Sequence, residues 1–393
     1  MKLKKCLPFL SMVSLIAFMA LLFSCTEGES RLSAAPSLTN TDLTVMGETA
    51  RFLAGEPISE TSTLAKHAQT ATYKKYAADF GTGWNRFQKP NLQKMENWWK
   101  EHAVKNPENN VLYPFSGPDI MNVLAFFPNA DSYTMFGLEA VGEIPAPQKM
   151  SAQQIDAGLS AIRHSINSIT NTNFFHTNNM AKDLKNTSLN GITGLLMVFL
   201  TKTGYTVIDA RKVTINAEAL LVPSEKSDEK IDWMKPPKSR VPGVEISFKK
   251  DNGKIQIVRY FMLNVIDQAL TTSSPNFIPY ITKNGPYSTF LKSASYLMHN
   301  DKIKFTQIRA AVLASSTSIV QDDSGVPLRY FSADKWNVTV HGVYDKPIPL
   351  FSNRAQADLK KLTAEKTTGV LPFSYGYDHH KDQSNLLIAE KKK

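Results

Sequence analysis

Cysteine is almost absent from this 393-residue chain: Cys6 and Cys25 are the two it has, both in the first 25 residues. Two cysteines exclude a disulfide framework, and no spacing suits a zinc knuckle. Glycine (19) and proline (21) lack the periodic enrichment of a collagenous chain. No run of five or six like charges appears before the C-terminal end, and no repeat of fixed period is present. Gly-x-Ser-x-Gly, a P-loop and Gly-x-Gly-x-x-Gly are all missing, so no nucleophile-elbow or phosphate-cradle pattern points to a reaction. What is there is 42% hydrophobic, 20% charged and 10% aromatic, the composition of a folded protein of two domains or one large one.

The first segment carries an address. Lys2, Lys4 and Lys5 make a positive start, and Leu7 to Ser24 is uncharged and mostly apolar, which fits a signal peptide over residues 1–24. Its end, Leu22-Phe23-Ser24-Cys25, resembles the bacterial lipobox, although Phe23 stands where a smaller residue is usual. The resemblance implies that Cys25 becomes the first mature residue and carries diacylglycerol with a further palmitate-type chain. Each buried CH₂ contributes about 0.8 kcal/mol, so two or three chains anchor where one does not. The expected location is the bacterial cell envelope, with the membrane as partner through this anchor. Thr26 after the cysteine favours the outer membrane over the inner. Plain secretion and a retained helix are the alternatives. Removing Lys2, Lys4 and Lys5 brings the formal charge from +10 to +7, and the remaining lysines are interleaved with acids. No nucleic-acid partner is expected. An envelope polymer or protein partner stays open.

Residues 25–41, rich in Ser, Thr, Ala and Glu, read as a flexible tether. Residues 42–103 have helical periodicity, with Leu92, Met95 and Trp98/Trp99 recurring on one face. Residues 104–380 read as an α/β globular domain and residues 381–393 as a solvated tail. Within the domain, Val111–Phe115, a helix with Ile120, Val123, Leu124 and Phe127 on one face, and Tyr133–Phe136 form a parallel strand–helix–strand unit. Ser151 and Gln154 make a capping box for a helix over 150–170. Val244, Ile246 and Phe248 alternate with polar residues, and Asn252-Gly253 turns the chain into Ile255–Leu263, a hairpin. Strands are also expected at Leu328–Phe331 and Trp336–Tyr344. The fold class is therefore α/β (or α+β), a mixed sheet with a helical N-terminal extension.

The loop Tyr113-Pro-Phe-Ser-Gly-Pro-Asp119 falls where open α/β sheets bind ligands, after a strand and before a helix. Tyr113, Ser116, Gly117, Asp119 and, after the second strand, Glu139 are the candidate ligand-binding residues. The competing reading is a capping box in which Ser116 caps the helix and Asp119 reaches back. Gln321-Asp322-Asp323-Ser324-Gly325 offers paired carboxylates for a cation or acid–base work, or an ordinary turn. Lys292-Ser293-Ala294-Ser295-Tyr296 sets a lysine beside hydroxyls but lacks Ser-x-x-Lys and reads as strand. His176 sits in a polar turn, and His379 with His380 lacks the i, i+4 spacing of a metal pair. No catalytic, metal or cofactor residue is assigned.

Tyr113–Asp119, Phe126-Phe127-Pro128, Gly137-Leu138-Glu139, Lys292–Tyr296 and Gln321–Gly325 together resemble an uncharacterised family of exported bacterial proteins. The resemblance covers most of the chain after about residue 45 and implies an exported setting, with no role for any residue. The expected function is binding or scaffolding by a lipid-anchored envelope domain. The alternative is an envelope hydrolase of glycan, ester or phosphoester, using Asp119, Glu139 or Asp322/Asp323 as acid and base.

Overall fold

Strand periodicity explains the two cores of the molecule. In the strand Asn110–Pro114 (β1), Val111 and Tyr113 enter one hydrophobic cluster and Leu112 the other, because successive side chains leave a strand on opposite faces. The same split separates Tyr133 and Met135 from Phe136 in Ser132–Gly137 (β2), and Phe290 from Tyr287 and Leu291 in Tyr287–Leu291 (β7). Strands covered on both faces need apolar residues on both, and β7 is buried along its whole length.

The computed structural model describes residues 40–172, 187, 189–224, 239–250, 253–300, 304–367, 369–377 and 383–393. The signal segment, Cys25, the tether up to residue 39, His176, Trp233, Asn252, His379 and His380 lie outside the described residues. Among those described, no helix is long and apolar enough to cross a membrane.

The remaining strands are Thr206–Ile215 (β3), Leu221–Pro223 (β4), Val241–Lys249 (β5), Gln256–Met262 (β6), Ser316–Gln321 (β8), Trp336–Gly342 (β9) and Asn385–Lys391 (β10). They form one ten-stranded mixed sheet in the order β4-β3-β5-β6-β2-β1-β7-β8-β10-β9. The five middle strands, β6-β2-β1-β7-β8, are parallel. The expected parallel unit is present, with Ile120–Phe126 (α5) crossing between β1 and β2. The expected hairpin is also present, as β5 against β6.

One face is covered by Asn40–Leu53 (α1), Ala71–Gln88 (α3), Leu92–His102 (α4), α5, Ala152–Thr172 (α6) and Thr193–Lys202 (α7); Ala65–Ala68 (α2) is a single turn before α3. Helix α3 begins because Thr70 accepts from the Tyr73 amide at 3.2 Å, and it buries Tyr73, Tyr76, Phe80, Trp84 and Phe87 on one stripe. The Ser151/Gln154 capping box closes reciprocally at 2.8 and 3.2 Å. In α7, Leu195 to Leu200 are all buried, so an all-apolar helix is here a core helix. The other face carries Asp267–Thr272 (α8), Phe277–Lys283 (α9), Thr306–Ser315 (α10) and Ala357–Lys366 (α11).

Three expectations are corrected. Residues 385–391, read as part of a solvated tail, are β10, inserted antiparallel between β8 and β9 with Leu386, Leu387, Ile388 and Ala389 buried. The terminal lysines masked an apolar run just long enough for a strand. Leu328–Tyr330 is a 3-10 turn, not a strand, following Pro327. Lys292–Tyr296 is a loop, because Ser293, Ser295 and Tyr296 take left-handed backbone conformations that no strand contains.

Candidate functional site

The chain runs from β1 to β2 and on to β6 on one side, then crosses to β7 and β8 on the other. The order reverses between β1 and β7, so the loops leaving their carboxyl ends diverge and open a crevice there. A cavity of about 610 Å³ occupies that place. Four strand ends wall it: Phe115–Gly117 and Asp119 after β1, Gly137–Glu139 at β2, Leu263–Ile266 after β6, and Lys292, Ser293 and Ser295 after β7.

All five candidate residues, Tyr113, Ser116, Gly117, Asp119 and Glu139, line this one cavity. Ser116 does not cap α5: its hydroxyl donates to the Gly117 carbonyl at 3.0 Å. The N-cap of α5 is Asp119, and its side chain makes no capping bond. The Asp119 carboxylate instead accepts from the Tyr113 hydroxyl (3.1 Å) and Asn122 Nδ2 (2.6 Å) and pairs with Lys292 Nζ at 3.3 Å. That ion pair is shut away from solvent, its side chains 1% and 5% exposed. Burial, and next the Asp119 charge, hold the Tyr113 hydroxyl well above its ordinary pKa, so it stays a donor.

Glu139 is fixed from the β6 side. The Tyr260 hydroxyl lies 3.0 Å from Glu139 Oε2 and 3.1 Å from its carbonyl oxygen, and burial with the Glu139 charge raises that phenol well above its usual value. Gly137 makes room for this arrangement: a Cβ there would sit 2.4 Å from Glu139 Oε2 and 3.0 Å from the Tyr260 oxygen. Gly117, with φ of 51°, turns the β1 loop in a conformation that favours glycine.

Sequence reasoning set Lys292–Tyr296 aside, and this loop turns out to be half of the site. Phe115, Ser293, Ser295 and Tyr296 are four of the seven non-glycine residues with positive φ among the described residues, a concentration of backbone strain typical of functional loops. The strain is held by bonds from elsewhere. Asp322 Oδ2 accepts from the Ser293 amide at 3.0 Å, Ser324 Oγ from the Ala294 amide at 2.7 Å, and the Tyr377 hydroxyl donates to the Ser293 carbonyl at 2.6 Å. Within this framework the Ser293 hydroxyl is buried without a hydrogen-bond partner. Its one sequence signal was a lysine directly after Phe290-Leu291, and in the structure that lysine follows a strand buried along its whole length, where a charge must find a partner.

Asp322 and Asp323 do not line the cavity; they stand behind it, fully or nearly fully buried. Asp322 is a brace for the Lys292–Tyr296 loop. Asp323 accepts from the Tyr296 hydroxyl at 2.5 Å and from Asn385 of β10 at 3.0 Å, and burial raises its carboxyl above the ordinary range. Of the five sequence segments Tyr113–Asp119, Phe126–Pro128, Gly137–Glu139, Lys292–Tyr296 and Gln321–Gly325, four thus meet here: three wall the cavity and Gln321–Gly325 supports them. Phe126–Pro128 lines a separate cavity of about 400 Å³ at the amino ends of the strands. Among the described residues no group of three or more His, Cys, Asp or Glu is placed to hold a metal ion. No protein-family model, curated protein or solved structure matches this chain.

Proposed function

We propose that this is an exported, lipid-anchored protein whose α/β domain binds a small ribose-bearing ligand in the carboxyl-end cavity. In this reading Glu139 is the acceptor for the sugar's two neighbouring hydroxyls. The observation that carries it is the position of Glu139: at the tip of the second parallel strand, 22 residues beyond Gly117, on the wall of a crevice at the switch point. Nucleotide-binding sheets set an acidic residue at that tip, about 20 residues after the first loop, to take ribose hydroxyls. A carboxylate accepts hydrogen bonds from hydroxyl donors, and Glu139 reaches the cavity wall.

The wall next to Glu139 suits a flat ring. The pairing of Gly137 with Met262 brings Leu138 and Glu139 beside Leu263 and the segment to Ile266. Leu138 is 39% exposed and Leu350, at the same cavity, 79%; a bound base would cover such apolar surface.

Isothermal titration of the full chain with adenosine and 2′,3′-dideoxyadenosine tests the reading. Adenosine is expected to bind at least tenfold more tightly, and Glu139→Gln to erase the difference; equal affinities for the two sink the ribose assignment. The anchor is tested apart from it, by palmitate labelling that Cys25→Ala abolishes.

A hydrolytic reading has one observation behind it, Asp119 and Glu139 on the wall of the same cavity. It predicts that Glu139→Gln keeps substrate affinity and loses turnover, the opposite of the binding reading.

A further inference from the structure

Resting on the ribose reading, we infer that the ligand is a nucleoside with an uncharged apolar group at its 5′ position, seated on Leu350 and Phe351. The strand order sets the direction. Neighbouring strand ends lie about 4.8 Å apart, and across the cavity they run β6, β2, β1, β7. With the base against Leu138, Leu263 and Ile266 and the diol on Glu139, the 5′ substituent passes over the β1 loop toward the β7 end.

The wall it reaches is apolar. Ile348, Leu350 and Phe351 line the cavity there, and the ring contacts of Phe351 fix their side. That ring lies 4.8 Å from Tyr296 and 5.5 Å from Tyr377. The Tyr377 hydroxyl in turn donates to the Ser293 carbonyl and accepts from the Ser295 amide, both in the loop after β7. Leu138 belongs to the β2 end and Phe351 to the β7 end, two strand spacings or about 10 Å apart. The base that covers Leu138 therefore does not cover Phe351. Leu350, next to it, is 79% exposed, the most exposed large hydrophobic side chain among the described residues. An apolar group laid there removes that surface from water.

Charge and size agree with an apolar group. Asp119 and Lys292, the charged residues lining the β1 and β7 ends, are paired with each other at 3.3 Å. A charged 5′ substituent would lose its water there and meet charges already matched. A dry cavity of about 150 Å³ takes one benzene ring. The 610 Å³ here is room for about four such rings, of which a purine nucleoside supplies about three. One ring-sized group is left to place, and Leu350 with Phe351 is the surface left to cover.

The test is an apolar series at one position: adenosine, 5′-methylthioadenosine and 5′-isobutylthioadenosine, with AMP as the charged control, titrated into the full chain. Each buried methylene is worth a factor of about four, so the isobutyl compound is expected to bind at least tenfold more tightly than the methyl one. AMP is expected to bind no more tightly than adenosine. Leu350→Ser is expected to lower the isobutyl-to-adenosine affinity ratio several-fold. Leu138→Ser, on the base side, is expected to weaken all the compounds and keep that ratio. A flat series in which adenosine still binds, or AMP binding more tightly than the alkyl compounds, overturns the apolar assignment and leaves the ribose reading standing. A ratio lowered equally by the two variants overturns the placement on Leu350. Failure of all four compounds to bind overturns both readings.

Discussion

The two ends of the parallel strands carry cavities built in different ways. At the amino ends, about 400 Å³ is lined by Trp99, Phe126, Phe127, Pro128 and Tyr205, and no non-glycine residue there has positive φ. Its neighbouring ion pair, Lys254 with Asp131, is half exposed. At the carboxyl ends the cavity is flanked by strained loops, a buried Asp119–Lys292 pair and two further buried carboxylates. The first is what helices leave when they pack over a sheet. The second keeps unfavourable backbone and unfavourable charge together in one place, and other elements hold them there. That contrast, more than size, marks the carboxyl end as the working end.

The contrast can be broken most forcefully at its ion pairs. Lys292→Met leaves the Asp119 carboxylate buried without its cation and is expected to cost about 3–5 kcal/mol, against less than about 1 kcal/mol for Lys254→Met at the exposed pair. Urea unfolding of both variants checks this; similar losses would remove the distinction between the two ends.

Glycines come next. Gly137→Ala drives a methyl into the Glu139 carboxylate and the Tyr260 oxygen and is expected to destabilise by about 1–3 kcal/mol. Gly81→Ala, in α3 with nothing within 4 Å of the new carbon, is expected to stabilise by roughly 0.5–1 kcal/mol. Thermal unfolding of the pair would expose an error in either packing claim through the sign alone.

Acid acts on the same end. His299 is buried beside Tyr296, and burial, followed by Arg329 and Arg354, lowers its pKa to about 4. The unfolded chain takes this proton near 6.5 and the folded chain does not, so the contribution is complete above pH 6.5 and is lost as pH falls toward 4. The loss is on the order of 3 kcal/mol, offset in part by Asp323, whose raised carboxyl takes a proton earlier in the folded state. Denaturant midpoints at pH 7, 5.5 and 4 should fall less steeply in His299→Gln; an unchanged slope assigns the acid sensitivity to other groups.

The smallest stability effect belongs to the cavity rim. Leu138→Ser, at a side chain already 39% exposed, is expected to move unfolding by less than about 0.5 kcal/mol while weakening adenosine several-fold. A stability loss without an affinity loss would make Leu138 a packing residue.

Several of these features could be read from the residues alone, for local reasons. Tyr113–Phe136 shows a parallel unit because strand, short helix and strand follow within a span that permits one connection. The five candidate residues come from the two loops of that unit, so one local motif sufficed to bring them to one cavity. Lys292 and Ser293 escaped because their loop lies far along the chain and its conformation is imposed by Asp322, Ser324 and Tyr377. Nothing nearby in sequence predicts a left-handed serine held by a remote carboxylate. The β10 error has the same origin: a short apolar run beside lysines becomes a strand once β8 and β9 leave a gap between them.

The sequence by itself determined the alternating α/β class, the helical N-terminal region, the capping box at Ser151 and the loop that ends at Asp119, each fixed by periodicity or by groups within a few residues of one another. Tertiary structure alone decided that β7 lies beside β1, that Lys292 neutralises Asp119, and that Asp322 and Asp323 support the cavity without lining it. Those outcomes depend on pairings across more than a hundred and seventy residues for Asp119 with Lys292, where the free energy of burying a charge chooses the partner and no local propensity records the choice.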